Sequence, residues 1–153
     1  MAFVFRLERV LSVRRLQEEA AQQRHAEALE RLRRAEARVD DLSRELTRDL
    51  EELDETKRRD ELTTETLHLH SLHASGLRRA IQLARHEAAR CAADVEKTAA
   101  ELLDAHRARE ALEKLREREV EAWRREETRR EANQIDEIAV LRRRTREEEN
   151  HGP

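Results

Sequence analysis

Helix breakers are nearly missing from this sequence, which has two glycines, Gly76 and Gly152, and a single proline, Pro153, among 153 residues. Inside a helix Gly costs about 1 kcal/mol and Pro about 3 kcal/mol relative to Ala, so long uninterrupted helices are permitted almost throughout. Aromatics are scarce too: two Phe, one Trp and no Tyr, too little bulk to fill a globular interior. No run of β-branched and aromatic residues bounded by turn residues occurs, which removes the case for strands. The lone cysteine, Cys91, excludes an intramolecular disulfide framework and is compatible with a reducing compartment. Long apolar runs are also lacking. Residues 1–16 are broken by Arg6, Glu8, Arg9, Arg14 and Arg15, unlike a signal peptide or a membrane span, so membrane attachment is expected only through partners.

What the chain has is charge, 44% of its residues against 37% hydrophobic. Such a composition fits either disorder or long helices sharing a narrow apolar seam, and the spacing of the apolar residues decides between them. From Ala28 they step in threes and fours through Leu32, Ala35, Val39, Leu42 and Leu46, then slip through Leu50 to Leu53. That is a heptad seam. Upstream, Phe3, Leu7, Val10, Val13, Leu16 and Ala20 continue the stripe with an irregular step. Acid-before-base pairs four apart, such as Glu27 with Arg31 and Glu30 with Arg34, line its flanks. A second stripe runs Leu77, Ile81, Ala84, Ala88, Cys91, Val95, Thr98, Leu102 and Ala105, then shifts register through Leu112, Leu115, Trp123, Ile135, Ile138 and Leu141.

Each stripe is the natural partner of the other, because helical stability in proteins comes mostly from burying an apolar face. The fold class is therefore all-α, a long antiparallel two-helix coiled-coil hairpin, a single domain over 1–153 and a monomer. Two places offer turn chemistry. Around residues 58–64 the apolar period lapses, and Thr63 or Thr64 can cap the following helix. Ala74-Ser75-Gly76 is the other, and it would give arms of equal length.

No catalytic, cofactor-binding or metal site is expected. His68, His70 and His73 are the one conspicuous cluster, but His68 points away from the other two on a helix and no cysteine completes a tetrahedral set. Carboxylates abound without a cleft to set their proton affinities apart, and phosphate loops and nucleophile elbows are lacking. The basic runs Arg14-Arg15 and Arg142-Arg143-Arg144 have acidic neighbours and no stacking aromatics, so nucleic acid is not an expected partner. The net charge of −3, from 32 basic and 35 acidic side chains, is interleaved and gives no strong long-range field. Cys91 sits on the apolar stripe and reads as a small core residue. Trp123 either pairs with Phe3 and Phe5 inside the hairpin or anchors a partner, the role aromatics often take at interfaces.

The opening Phe3-Val4-Phe5-Arg6-Leu7-Glu8-Arg9-Val10-Leu11, continuing to Arg14 and Glu18, resembles the N-terminal signature of the flagellar export protein family FliJ. The segment from Glu126 to Ala139, ending Asn133-Gln134-Ile135-Asp136-Glu137-Ile138-Ala139, is similar to the tail of the same family. The resemblance implies a soluble, cytoplasmic component of the flagellar type III export apparatus, held at the cytoplasmic face of the cell membrane by partners, and so a role in flagellum biogenesis, motility and chemotaxis. It implies insertion of the terminal end into the export ATPase FliI, which is regulated by FliH, promoting assembly of the ATPase ring. It also implies contacts with the export gate protein FlhA and with export chaperones. Carried over by position, Phe3, Phe5, Leu7, Val10, Trp123, Ile135 and Ile138 would face the ATPase, and Leu77 and Ala80 the gate; His73 and Ala84 stand where the family pattern has an aromatic and a histidine. The resemblance favours the early turn: helix 1 about 3–57, turn about 58–64, helix 2 about 65–147, then a short disordered tail. The alternative is a coiled-coil scaffold, or the stalk protein of a virulence type III secretion system, since fold alone does not fix function.

Overall fold

The computed structural model describes residues 2–149. It is an all-α helical hairpin of two helices, α1 (Glu8–Arg58) and α2 (Thr64–Glu149), with no strand among the described residues. α2 runs to Glu149, two residues past its expected end at about 147, and the rest of the expected tail lies outside the described residues. The chain groups into two compact units, residues 16–106 and residues 2–15 with 107–149.

Within the 16–106 unit the chain reverses over residues 59–63. α1 ends in a Schellman motif: Glu61 N–H donates to the Thr56 carbonyl (3.2 Å) and Asp60 N–H to the Lys57 carbonyl (3.2 Å). The motif requires a left-handed residue at the position of Asp60, whose φ is 56°; Asp tolerates this conformation better than most non-glycine residues. Lys57 and Arg58 add positive charge to the last turn, where the helix dipole is negative. α2 opens on a reciprocal cap. Thr63 Oγ1 accepts from the Thr66 N–H (3.2 Å) while Thr66 Oγ1 accepts from the Thr63 N–H (3.0 Å), which leaves two fewer amides without a partner. Gly76 lies well inside α2.

The two helices meet along a seam whose densest part is Leu42, Leu77 and Ile81, with Leu46, Ala80 and Ala84 packed against it. On α1 the inward positions are Glu18, Ala21, His25, Ala28, Leu32, Ala35, Val39, Leu42, Leu46, Asp49 and Leu53, an unbroken alternation of three and four. On α2 the matching series runs from His70 through Ala74, Leu77, Ile81, Ala84, Ala88, Cys91, Val95, Thr98 and Leu102 to Ala105.

This regularity corrects the sequence reading of α1 at two places. The seam does not slip through Leu50, which is 42% exposed; Asp49 takes the position, 8% exposed. Upstream, Val10, Val13, Leu16 and Ala20 are exposed, and Leu11, Glu18 and Ala21 are the buried residues. In both places the apolar residues lie off the heptad. The helix instead keeps its period and places carboxylates inward, where histidines of α2 meet them: His70 Nδ1 lies 2.8 Å from Asp49 Oδ1, and His106 Nδ1 lies 2.8 Å from Glu18 Oε1. A buried charge with a hydrogen-bond partner costs far less than one without, and a regular supercoil preserves every other contact of the seam.

In the unit of residues 2–15 and 107–149, α1 starts at Glu8, five residues beyond the expected start, with the Glu8 N–H donating to the Phe5 carbonyl (3.2 Å). Phe5 is 5% exposed and Leu11 is fully buried. Ion pairs flank them, Glu8 with Arg116 (3.2 Å) and Arg15 with Glu113 (3.3 Å). Phe3 and Trp123 stack their rings at a tilt, centroids 6.1 Å apart at 56°.

Candidate interaction surface

The residues assigned by resemblance to the ATPase-facing end all fall in one compact unit, and the structure divides them by exposure. Phe5 is core. Phe3 and Trp123 are half-buried against each other, an edge-tilted pairing that aromatic quadrupoles favour. Trp123 thus does pair with Phe3 inside the fold. Leu7 at 37%, Val10 at 44%, Ile135 at 66% and Ile138 at 51% offer apolar surface to solvent.

The setting of Ile135 and Ile138 is unusual for large apolar side chains. Every described side chain from residue 128 to 146 is exposed, so this part of α2 has no buried face among the described residues. Its surface combines Ile135, Ile138 and Ala139 with Arg142, Arg143 and Arg146, an apolar patch running into a cationic one. Helices without a buried face are marginal in water, and a contiguous apolar patch edged by charge is the usual signature of a protein contact.

Leu77 and Ala80, the residues assigned to the gate, lie in the other unit, 16–106. Leu77 is 7% exposed in the Leu42–Ile81 cluster, with Ala80 half-buried beside it. Leu77 is therefore first a seam residue. Ala80 stands at the edge of the seam, where a partner has access.

The histidine cluster is split between two carboxylates of α1. His70 meets Asp49, while His73 Nε2 lies 3.8 Å from Glu45. Among the described residues no group of three or more His, Cys, Asp or Glu side chains could hold a metal ion. Cys91 is buried in the seam. The inward carboxylates Glu18 and Asp49 were missed from the sequence. The available signal was the heptad itself, extended without regard to polarity, which lands on both.

The family model described as flagellar FliJ protein matches residues 3–148. Neither a curated protein nor a solved structure matches the chain.

Proposed function

The chain belongs to the flagellar FliJ family and is a component of the flagellar protein export apparatus; from that premise we propose that it couples the export ATPase FliI to the export gate and is not itself a catalyst. The unit formed by residues 2–15 and 107–149 docks in the ATPase ring and promotes its assembly. Leu7, Val10, Ile135 and Ile138 make the contact, while Phe5, Phe3 and Trp123 hold the surface in shape. Contact with FlhA is made around Ala80, with Leu77 supporting it from the seam. FliH and the export chaperones complete the set of partners. The protein works as a monomeric hairpin in the cytoplasm, held at the membrane by these partners and serving motility; among the described residues no helix is long and apolar enough to cross a membrane.

The observation that supports this reading best is the coincidence of two facts. The family match spans both ends of the chain, and the matched C-terminal stretch carries exposed isoleucines that the fold leaves uncovered. The test is capture of purified FliI by the chain and by a Val10→Glu/Ile138→Glu variant, both substitutions being at exposed positions. Burying two carboxylates in an interface is expected to weaken capture at least about a hundredfold. Equal capture by the variant overturns the placement of the contact, and no capture by the unaltered chain overturns the coupling role.

A further inference from the structure

In a chain with 35 acidic side chains, residues 66–86 contain none. The same 21 residues carry Arg78, Arg79 and Arg85 and four histidines. The stretch of α1 packed against them is the reverse, with eight acidic side chains and two basic ones, Arg44 and Arg48, over residues 40–55. This part of the hairpin is thus polarised, cationic on α2 and anionic on α1. Among the described residues Arg78, Arg79 and Arg85 have no carboxylate partner.

The cationic stretch also carries a second apolar seam. The inner one, Ala74, Leu77, Ile81 and Ala84, faces α1. The outer one follows Leu69, Leu72, Gly76, Arg79, Leu83 and His86 in steps of three and four, and its leucines are 60%, 58% and 65% exposed. At 3.6 residues per turn, Leu69, Leu72, Gly76 and Leu83 fall within about 60° of one another, and roughly 140° from the inner seam. A Cβ built at Gly76 would meet nothing within 4 Å, which leaves an open hole between Leu72 and Leu83 for a partner's side chain. Isolated exposed leucines need no explanation, but three on one heptad, around a vacant hole, repeat the geometry with which α2 already binds α1.

We propose that this outer face of α2 is a docking site for an acidic amphipathic helix of another protein, which lays its apolar stripe on Leu69, Leu72 and Leu83 and its carboxylates toward Arg79 and His86. The charge selects the occupant. An acid-free strip whose arginines lack partners attracts carboxylates and repels a basic helix. The face excludes Leu77 but borders Ala80, about 20° beyond Leu69 around the helix, so Leu72, Arg79 and Leu83 are the positions substituted in its test and Ala80 is left unchanged.

The test uses the full chain and a fluorescent synthetic heptad peptide about 21 residues long, with leucine at its a and d positions and glutamate at e and g; a second peptide has lysine in place of glutamate. The glutamate peptide is expected to bind, more weakly as salt rises, and the lysine peptide to bind at least about tenfold more weakly. Leu72→Asp/Leu83→Asp is expected to abolish binding with helicity unchanged, and Arg79→Glu to shift preference toward the lysine peptide. Binding of neither peptide, equal binding of both, or indifference to these substitutions overturns the proposal. Two controls separate other occupants. Self-association of the chain, or flotation with phosphatidylglycerol vesicles, removed by Leu72→Asp/Leu83→Asp would assign the face to a second copy or to a lipid surface and overturn it equally.

Discussion

The two compact units draw on the same two helices and use their apolar residues differently. In residues 16–106, inward positions of both helices follow one unbroken heptad, and even the polar members of the seam, Asp49 and Glu18, find histidine partners across it. In the other unit only Phe5 and Leu11 are buried among the described residues, with Phe3, Leu112, Val120 and Trp123 half-buried, while α2 runs on past them with every described side chain from 128 to 146 exposed. A pattern of apolar residues therefore does not by itself say what will be covered. The 16–106 region covers its inner seam while leaving Leu69, Leu72 and Leu83 exposed outside it, and the other region leaves Leu7, Val10, Ile135 and Ile138 exposed beside a small core.

The substitution with the largest expected effect on this contrast is Ile81→Ala. Ile81 is 7% exposed and touches the Leu42–Leu77 cluster, so its truncation removes buried methylenes and leaves a gap. The expected loss is about 2–4 kcal/mol, read as a lower urea midpoint. A loss below about 1 kcal/mol would mean that the 16–106 seam is not the better-packed region.

His70→Ala comes next. Asp49 Oδ2 already has no hydrogen-bond partner and is buried; removing His70 orphans Oδ1 as well. Leaving a buried acceptor unsatisfied costs about 1–3 kcal/mol. Replacing both partners together, Asp49→Leu/His70→Leu, is expected to restore that stability or exceed it, because an apolar pair avoids the desolvation cost. If the double substitution is as damaging as the single one, the pair contributes something other than mutual satisfaction.

Trp123→Ala probes the other unit. The loss of a tilted ring pair and of partial burial is expected to cost about 1–2 kcal/mol, and locally. Amide hydrogen exchange should quicken across residues 8–15 and 107–123 while the amides of 28–46 and 77–105 keep their protection. Uniform acceleration along both helices would show that the two units open as one.

How much of this could be read in the sequence follows from the same contrast. The stripes from Ala28 to Leu46 and from Leu77 to Ala105 were legible because apolar residues fill nearly every heptad position there. The reading failed at Leu50 and at Val10 to Ala20, where the seam holds Asp49 and Glu18. A carboxylate looks out of place in a seam until its histidine is known, and His70 and His106 lie 21 and 88 residues away. The turn was ambiguous for a related reason. The Thr63–Thr66 cap is a local signal, but Gly76 is another, and only packing along the whole seam outweighs the cost of about 1 kcal/mol of keeping a glycine in a helix. At the candidate surface, residue types were legible and exposure was not. Nothing in Phe3-Val4-Phe5 announces that Phe5 goes inward while Val4 stays 79% exposed.

The smallest expected effect on stability is the most informative about function. Ile138 is 51% exposed in a stretch with no buried side chain among the described residues, so Ile138→Glu should leave the unfolding free energy from urea titration within about 0.5 kcal/mol of the original. Helix propensity barely changes either, since Glu is at least as good a helix former as Ile. Stability set by burial would make the position indifferent. If the substitution nonetheless destabilises the free chain by more than about 1 kcal/mol, Ile138 is covered in solution by another copy of the chain, and the contrast between a covered inner seam and exposed isoleucines fails. If stability holds while capture of FliI falls, the uncovered isoleucines are kept by function, which is the only force left acting on them.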